Sequence, residues 1–495
     1  PGPKELMNMQ RFYLYLNMTK PGEKLILSYS DTNAKGEGIS PAYLIGSIRS
    51  LYPKLEIENS YCYPENPEAG IDLFLEKLVQ ETEKEHEDIL EQADETDAMF
   101  GELYSWYLRN PEYRSRVQKL VQSAFAGKPE DIISQSVAKA LYGEVSPYSA
   151  TRLERFAACA FAHFLQYGMK LTERVEYEFK PMDMGNVMHE ALESFAEEVR
   201  KRGMKWTELT EQERNEIADR CLDNIVADYG NTVLKSSARN EYMIERTRRI
   251  LRRTVWALQK QLEQGEFQPE GFEVTFGGGR IDRVDIMEDQ NKVYVKVIDY
   301  KTGNTSFDLV YLYHGLQLQL MIYLDGALRV EQKKYPDKEI IPAGVFYYNI
   351  KDPMIQEKID ADVEAVSAGL MKELKMNGLV QADPELVYRM DSSLGSIPVA
   401  FNKDGSFRKN SSVADRTQFA VLGRYVRTKI EKIRSSILEG DAEVSPYELG
   451  KKNACTYCPY MTVCGFDRRL SGYEFRRLKN FSDEELWKAF DREAE

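Results

Sequence analysis

The 495 residues, 42% hydrophobic and 29% charged, suit a soluble globular chain with two or three buried cores. No run of about 18 apolar residues occurs and no signal peptide opens the sequence, so neither membrane insertion nor secretion is expected. A cytoplasmic protein with reduced, metal-competent cysteines is expected instead. The net charge of −14 argues against indiscriminate nucleic-acid binding, although the charges are segregated. Acid collects in residues 81–97; base collects in ERTRRILRRTVWALQK (245–260) and at Arg468, Arg469, Arg476, Arg477 and Lys479. On a helix Arg246, Arg249 and Arg253 share one face, a solvated ridge by default and a phosphate-facing one if DNA is the partner.

Residues 1–60 predict a helix (RFYLYLNMTK), an apolar strand (KLILSYS), a Gly/Ser/Pro loop and a second helix (PAYLIGSIRSLY), which read as the end of a larger α/β domain. Residues 61–145 predict a charged, mostly helical connecting region without a chemical motif. From Ser146 the pattern gives helices to about residue 265 and strands over 272–286 and 293–300. A long apolar helix near 309–326, a strand over 341–350 and helices to the end follow. That order predicts an α/β core in a helical surround over residues 146–480, with 481–495 as a tail. No internal repeat, low-complexity tract or Walker A sequence is present.

Cys159 stands in RFAACAFAHF, which reads as an amphipathic helix, while Cys455, Cys458 and Cys464 form C-x2-C-x5-C nearly three hundred residues later. The triplet is one thiolate short of a four-thiolate site. Cys159, set between aromatics, is the best fourth ligand, whereas Cys62 and Cys221 read as buried free thiols. Structural zinc usually pairs two short C-x2-C knuckles, and a close triplet completed by a remote cysteine suits a cubane iron-sulfur cluster better. Zinc is the alternative; free thiols alone give no reason for the triplet.

In MGNVMHEALESFAEEV, His189 shares a helical face with Leu192, Ala196 and Val199 and looks inward, either as a core histidine or as a metal ligand. GGGRIDRVDI and VYVKVIDYKTG predict two strands joined by MEDQNK, and Asp299 and Lys301, two apart, share a face of the second. If Asp282 points the same way, two carboxylates converge and can hold a hard cation such as Mg²⁺, completed by water and a main-chain carbonyl. Lys301 can then orient the attacking water or neutralise the phosphorane. D-x-K on a strand is more often a surface ion pair, but VYVKVI marks a buried strand, and buried charges need partners. The glycines 277–279 suit a bulge or the close approach of another backbone, such as a DNA strand. Gln319 and Tyr323, four apart in an apolar helix, either satisfy each other or line the groove beside the metal.

The series G-x3-H (Gly185, His189), G-R-I-D-R (Asp282), D-Y-K-T-G (Asp299, Lys301) and Q-x3-Y (Gln319, Tyr323) resembles the RecB-family nucleases of the PD-(D/E)xK superfamily. One cysteine before these motifs and three after resemble its iron-sulfur branch. SPYSATRLERFAACAFAHFLQYGMKL is similar to the opening of the nuclease domain in the B-subunit family of bacterial AddAB helicase-nucleases, with Ala160 where that family usually has proline. QRFYLYLNMTKPGEKLILSYS resembles the last superfamily 1 helicase motif: Tyr15 and Thr19 match, and Lys20 replaces the arginine that reaches the ATP γ-phosphate. No independent ATPase is therefore expected.

The resemblance covers essentially residues 9–480 and is weakest over 61–145. It implies a RecB-like α/β nuclease core, a mixed central sheet flanked by helices, with a partial helicase-like α/β piece at the amino terminus. The implied activity is a Mg²⁺- or Mn²⁺-dependent DNA exonuclease of the bacterial cytoplasm that resects double-strand breaks, with AddA as heterodimer partner. His189, Asp282, Asp299 and the Tyr300 main chain would hold the metal, Lys301 would act with Asp282 and Asp299 in catalysis, and Gln319 and Tyr323 would line the DNA groove. Cys159, Cys455, Cys458 and Cys464 would hold a structural 4Fe-4S cluster. A stand-alone RecB-like exonuclease and a non-catalytic module that grips DNA ends are the alternatives.

Overall fold

The computed structural model describes residues 2–30, 38–55, 57, 70, 71, 74, 75, 77, 78, 95–124, 132–143, 149–172, 174, 181–228, 237–277, 279–355, 362–468 and 472–494. Cys62, Ser146, Gly278, Arg469 and most of the acidic run lie outside them. The chain divides into two compact units, Pro1–Val79 with Leu90–Val117, and Gln80–Ile89 with Gln118–Glu495.

In the first unit the described helices include α1 (Pro3–Thr19), α2 (Tyr43–Leu51) and α3 (Glu95–Arg109). Its core is aromatic: Phe74 stacks on Phe100 and Tyr104 at centroid distances of 4.9 and 5.7 Å and meets the edge of Tyr107. The strand expected over residues 24–30 does not form. That segment has no ladder partner among the described residues, Ile26 is 74% exposed, and a lone apolar run gains neither ladder bonds nor cross-strand packing.

The next helices are α4 (Pro111–Ala124), α5 (Gln135–Tyr142), α6 (Ala150–Ala158), α7 (Ala160–His163), α8 (Pro181–Lys201), α9 (Glu211–Asp228) and α10 (Ala238–Glu263). The central sheet of the larger unit has six strands in chain order: β1 (Gln268–Phe276), β2 (Gly279–Glu288), β3 (Lys292–Lys301), β4 (Glu339–Asn349), β5 (Asn377–Gln381) and β6 (Val413–Ala414). It is mixed, because β3 runs parallel to β4 and β5 to β6 while the other pairs are antiparallel. A parallel pair needs a crossover, which α11 (Leu309–Tyr313) and α12 (Gln319–Lys334) provide between β3 and β4. Later helices are α13 (Val363–Glu373), α14 (Pro384–Met390), α15 (Arg416–Glu439), α16 (Met461–Cys464) and α17 (Asp483–Ala494).

Alternation along β3 sorts its side chains between two cores. Val293, Val295 and Val297 join Leu153 of α6, Leu320 and Leu324 of α12, Tyr425 of α15 and Phe490 of α17. Ile298 and Tyr300 join Met188 and Leu192 of α8, Leu222 of α9 and Leu251 and Leu258 of α10. The sheet is therefore covered on both faces, as expected of an α/β core.

Two element assignments differ from expectation. The helix expected near 309–326 is broken between α11 and α12, where Gly315 takes φ +78° and the Gln317 side chain accepts the Asp308 N–H at 2.9 Å. Beyond residue 350 helices alone were expected, yet β5 and β6 are there, and so is a small sheet of β7 (Tyr447–Leu449), β8 (Lys452–Asn453) and β9 (Arg476–Arg477). β6 to β9, of two or three residues, are too short to carry a periodic signal, and the five-residue β5 begins with Asn-Gly, which reads as a turn.

On the second face lies an ion cluster inside the core. Arg283 grips Asp285 with two hydrogen bonds of 2.5 and 2.9 Å, and Lys296 Nζ lies 2.9 Å from the same carboxylate. Burial alone would raise the Asp285 carboxyl, but Arg283 and Lys296 outweigh it and hold it below the usual range. Asp285→Ala strands two buried cations, so a loss of about 3–5 kcal/mol is expected in urea unfolding. Unchanged stability would show that the cluster contributes nothing.

Candidate active site

Asp282, Asp299 and Lys301 meet beside the first turn of α12. Asp282 Oδ2 accepts the Tyr300 N–H at 2.7 Å, which ties β2 to β3 at the D-Y-K sequence, while the Tyr300 ring lies in the opposite core, edge-on to Tyr348. Lys301 Nζ lies 2.6 Å from Asp299 Oδ2 and donates to Gln319 Oε1 at 2.7 Å. Gln319 Nε2 donates to Asp299 Oδ1 and to Tyr323 Oη, each at 2.9 Å. One amide side chain thus fixes the lysine, the aspartate and the tyrosine together. Burial and the neighbouring Asp282 push the Asp299 carboxyl up to about 7, against the pull of Lys301.

His189 enters from α8. Its Nδ1 lies 3.3 Å from Asp282 Oδ2 and 3.9 Å from Glu273 Oε1, and Gly185, one turn earlier, sits against Thr302. Burial lowers the imidazole pKa, but Asp282, Asp299 and Glu273 outweigh it and leave it raised. Leu192, Ala196 and Val199 are buried while His189 stands at the rim of their core, half-buried. Of the glycine run, Gly277 lies in a turn after β1 and Gly279 opens β2, where it pairs with Phe276 at a φ of +151° that favours glycine.

Glu273 was not anticipated. His189, Glu273 and Asp282 have ligand atoms within 4.8 Å of one another, the only such trio of metal-competent groups among the described residues. Glu273 sits mid-strand at φ +49°, a costly backbone for a residue with a Cβ, and its carboxyl is raised to about 7 by burial and by Asp282. Each of the three carboxylates has a basic neighbour, Arg280 beside Glu273, His189 beside Asp282 and Lys301 beside Asp299, but they are buried close together, a crowding of acids that a hard divalent cation would offset. Asp299 is turned toward Lys301 and Gln319 and stands outside the compact trio.

Glu154 was also missed. From α6 its Oε1 accepts the N–H groups of Leu318 and Gln319 at 2.7 and 2.9 Å, filling the orphan donors at the start of α12. Burial still lifts its carboxyl to about 7, against those bonds and Lys301. The acid lies in the SPYSATRLERF motif, but its role depends on a partner 164 residues away.

Cys159, Cys455, Cys458 and Cys464 all line one cavity of about 20 Å³, with Phe161 and Tyr460 among its other walls. The amphipathic helix expected around Cys159 is interrupted there: α6 stops at Ala158, Cys159 is extended, and α7 begins at Ala160. Burial raises the Cys159 thiol, opposed by hydrogen bonds from the backbone of Ala162, Ser445 and Phe161. Burial and the three other cysteines lift Cys455 to about 12, so the four sulfurs feel one another. Arg155 Nη2 is 3.8 Å from Cys458 Sγ, and Arg476 donates to the Ala157 carbonyl beside Cys159. Four thiols whose ionised forms would repel one another in so small a pocket suit a cationic metal centre, which would offset that repulsion. Cys221 lies apart, in the core with α8 and α10. Of the basic runs, Arg476 is turned inward and Arg249 pairs with Asp352 at 2.6 Å.

The family model of the PD-(D/E)XK nuclease superfamily matches residues 147–465. The chain is 39% identical to the ATP-dependent helicase/deoxyribonuclease B subunit of Lachnoclostridium phytofermentans, over 100% of this chain and 44% of that protein. The proteins of the same name from Clostridium acetobutylicum and Alkaliphilus metalliredigens are each 32% identical over 98% of the chain and 44% of their own length. The chain thus spans less than half the length of these curated relatives. No helix among the described residues is long and apolar enough to cross a membrane.

Proposed function

The chain belongs to the PD-(D/E)XK nuclease superfamily, and from that membership we propose that it is a Mg²⁺- or Mn²⁺-dependent deoxyribonuclease. It is the carboxy-terminal half of a cytoplasmic helicase-nuclease B subunit, AddB, that resects double-strand breaks with AddA as its partner. Residues 146–480 are its nuclease domain, 61–145 a connecting region and 1–60 the end of a helicase-like domain, while 481–495, expected from the sequence as a tail, instead supplies α17, whose Leu486, Ala489 and Phe490 pack into the same core as β3. The observation that carries this reading is the contact set of Asp282, Asp299, Lys301 and Gln319. A stand-alone exonuclease is less well supported, because the relatives are longer proteins named as subunits.

His189, Glu273 and Asp282 would hold the metal, with Asp299 as the adjacent carboxylate and the Tyr300 main chain as a further donor. A divalent cation bound there would supply hydroxide near neutral pH and would neutralise charge on the scissile phosphate. Lys301 orients the attacking water and faces the phosphate, while Gln319, held by Tyr323, keeps Lys301 and Asp299 in register. Exonucleolytic cutting of linear DNA that needs Mg²⁺ or Mn²⁺ and stops with chelator is the expected result; chelator-insensitive cutting would overturn the metal site. With Lys20 in the motif position and no Walker A sequence, the chain alone has no ATPase, and DNA-stimulated phosphate release by pure protein would contradict this.

Glu154 sets the position of α12, so Glu154→Ala should lower kcat about ten- to a hundredfold with KM little changed. Glu154→Gln retains an acceptor oxygen and should remain near wild type. Equal rates for all three proteins in steady-state cleavage would remove the positioning role.

The four cysteines hold a structural 4Fe-4S cluster. What supports this reading is that all four line one small cavity and that a close triplet completed by a remote cysteine suits a cubane better than the paired knuckles of structural zinc.

A further inference from the structure

Beside the catalytic turn of α12 lies a groove of about 460 Å³, walled by α12, α15 and the β1–β2 turn. Four cations line it: Arg329 and Lys333 from α12, and Arg427 and Arg434 from α15. The one acid in its wall, Asp325, is shared by two guanidiniums, Arg329 at 2.8 Å and Arg427 at 2.9 Å, and Arg434 pairs with Glu431 just outside the lining at 3.2 Å, so four cations against two acids still leave an excess of positive charge. Arg329 and Arg427 are 68% and 52% exposed, and the whole chain carries a net charge of −14. Such a basic concentration in an acidic protein calls for an anionic occupant.

Phe276 marks the end of the groove nearest the active site. Its ring meets Tyr323 edge-on at 5.9 Å, and Tyr323 bonds Gln319. Phe276 can lie there only because residue 326 is glycine: a Cβ on Gly326 would come within 2.6 Å of the ring. The groove therefore runs from an aromatic edge beside Gln319 along two basic helices.

Resting on the nuclease reading above, the geometry points to this groove as the track of a single DNA strand leading to Asp299 and Lys301. Its phosphates meet Arg329, Lys333, Arg427 and Arg434, and a base rests on Phe276. A volume of about 460 Å³ is that of a small-molecule pocket. It admits one or two nucleotides of a strand and cannot enclose a duplex. Cations that follow the backbone, with an aromatic for the bases, are how sequence-tolerant single-strand sites are built.

The test uses the whole chain and a fluorescent oligothymidylate of about 20 nucleotides, long enough to exceed a single-strand site. Fluorescence anisotropy without divalent metal reads Kd across a salt series, and cleavage with Mg²⁺ is followed separately. The double variant Arg329→Glu with Lys333→Glu, and Arg427→Glu alone, should each raise Kd about tenfold or more. The slope of log Kd against log salt should flatten by about 0.7 for each phosphate no longer neutralised. KM should rise with kcat at saturation retained, and binding to blunt duplex should change less. The alanine double variant guards against misfolding and should move in the same direction by a smaller factor. Wild-type Kd and slope in these variants, with wild-type protein still cutting, would overturn the track; equal loss on duplex would overturn its single-strand character. Absence of cutting by wild-type protein would instead count against the nuclease reading, with the anisotropy still deciding the groove.

Discussion

Asp299→Ala and Lys301→Ala are each expected to lower DNA cleavage by about a thousandfold or more while melting and DNA binding stay near wild type, because residues acting as one unit lose most of its effect singly. Removing the Asp299 side chain deprives Lys301 and Gln319 of their shared acceptor. Removing Lys301 acts differently. Asp299 already stands at about 7, pushed up by burial and Asp282 and held down by Lys301. Without the lysine its pKa climbs further, so a higher pH is needed to ionise it. Residual cleavage by Lys301→Ala should therefore shift to alkaline pH, which Asp299→Ala should not show. Stopped assays across pH, with a chelator control, read both effects. Undiminished cutting by both variants would remove the assignment and leave a module that only grips DNA.

The parts of this site legible in the sequence are those governed by local periodicity. The spacing of Asp299 and Lys301 placed them on one face of β3, and Gln319 and Tyr323, four apart, share a turn of α12. What escaped depends on partners remote in the chain or on backbone conformation. Glu154 has no meaning until α12 starts beside it, and that start requires Gly315 to break an apolar run that reads as one helix. Glu273 joins His189 and Asp282 in the middle of a strand where alternation fails. Phe272 faces one core and Val274 the other, and φ of +49° at Glu273 accompanies the change. Alternation also slips across Asp282, since Ile281 and Val284, three apart, share a core. Apolarity at 24–30 suggested a strand, but a strand exists only through its neighbours, and none of the described residues supplies one.

With the proposed cluster bound, the native protein should be brown and Cys159→Ala colourless, although Cys455, Cys458 and Cys464 remain. The reason lies in chain connectivity. Phe161 N–H bonds the Glu443 carbonyl at 3.0 Å and Tyr460 Oη the Leu171 carbonyl at 3.0 Å, but these are single hydrogen bonds between segments nearly three hundred residues apart. A metal centre joining Cys159 to the triplet would close that loop, and by the cross-link argument closure of a loop of about 300 residues removes about 6 kcal/mol of chain entropy from the unfolded state. Without it the chain beyond α15, which ends at Glu439, should become protease-sensitive. Because α6 carries both Glu154 and the backbone leading to Cys159, release of that end should also loosen the start of α12, so cleavage falls indirectly while DNA binding weakens. Asp299→Ala supplies the contrast, since it should stay brown, protease-resistant and competent to bind. Anaerobic purification with an optical spectrum, an iron count and limited proteolysis separates the two. A colourless native protein with stoichiometric zinc would reject the cluster, and a brown Cys159→Ala would reject Cys159 as its fourth ligand.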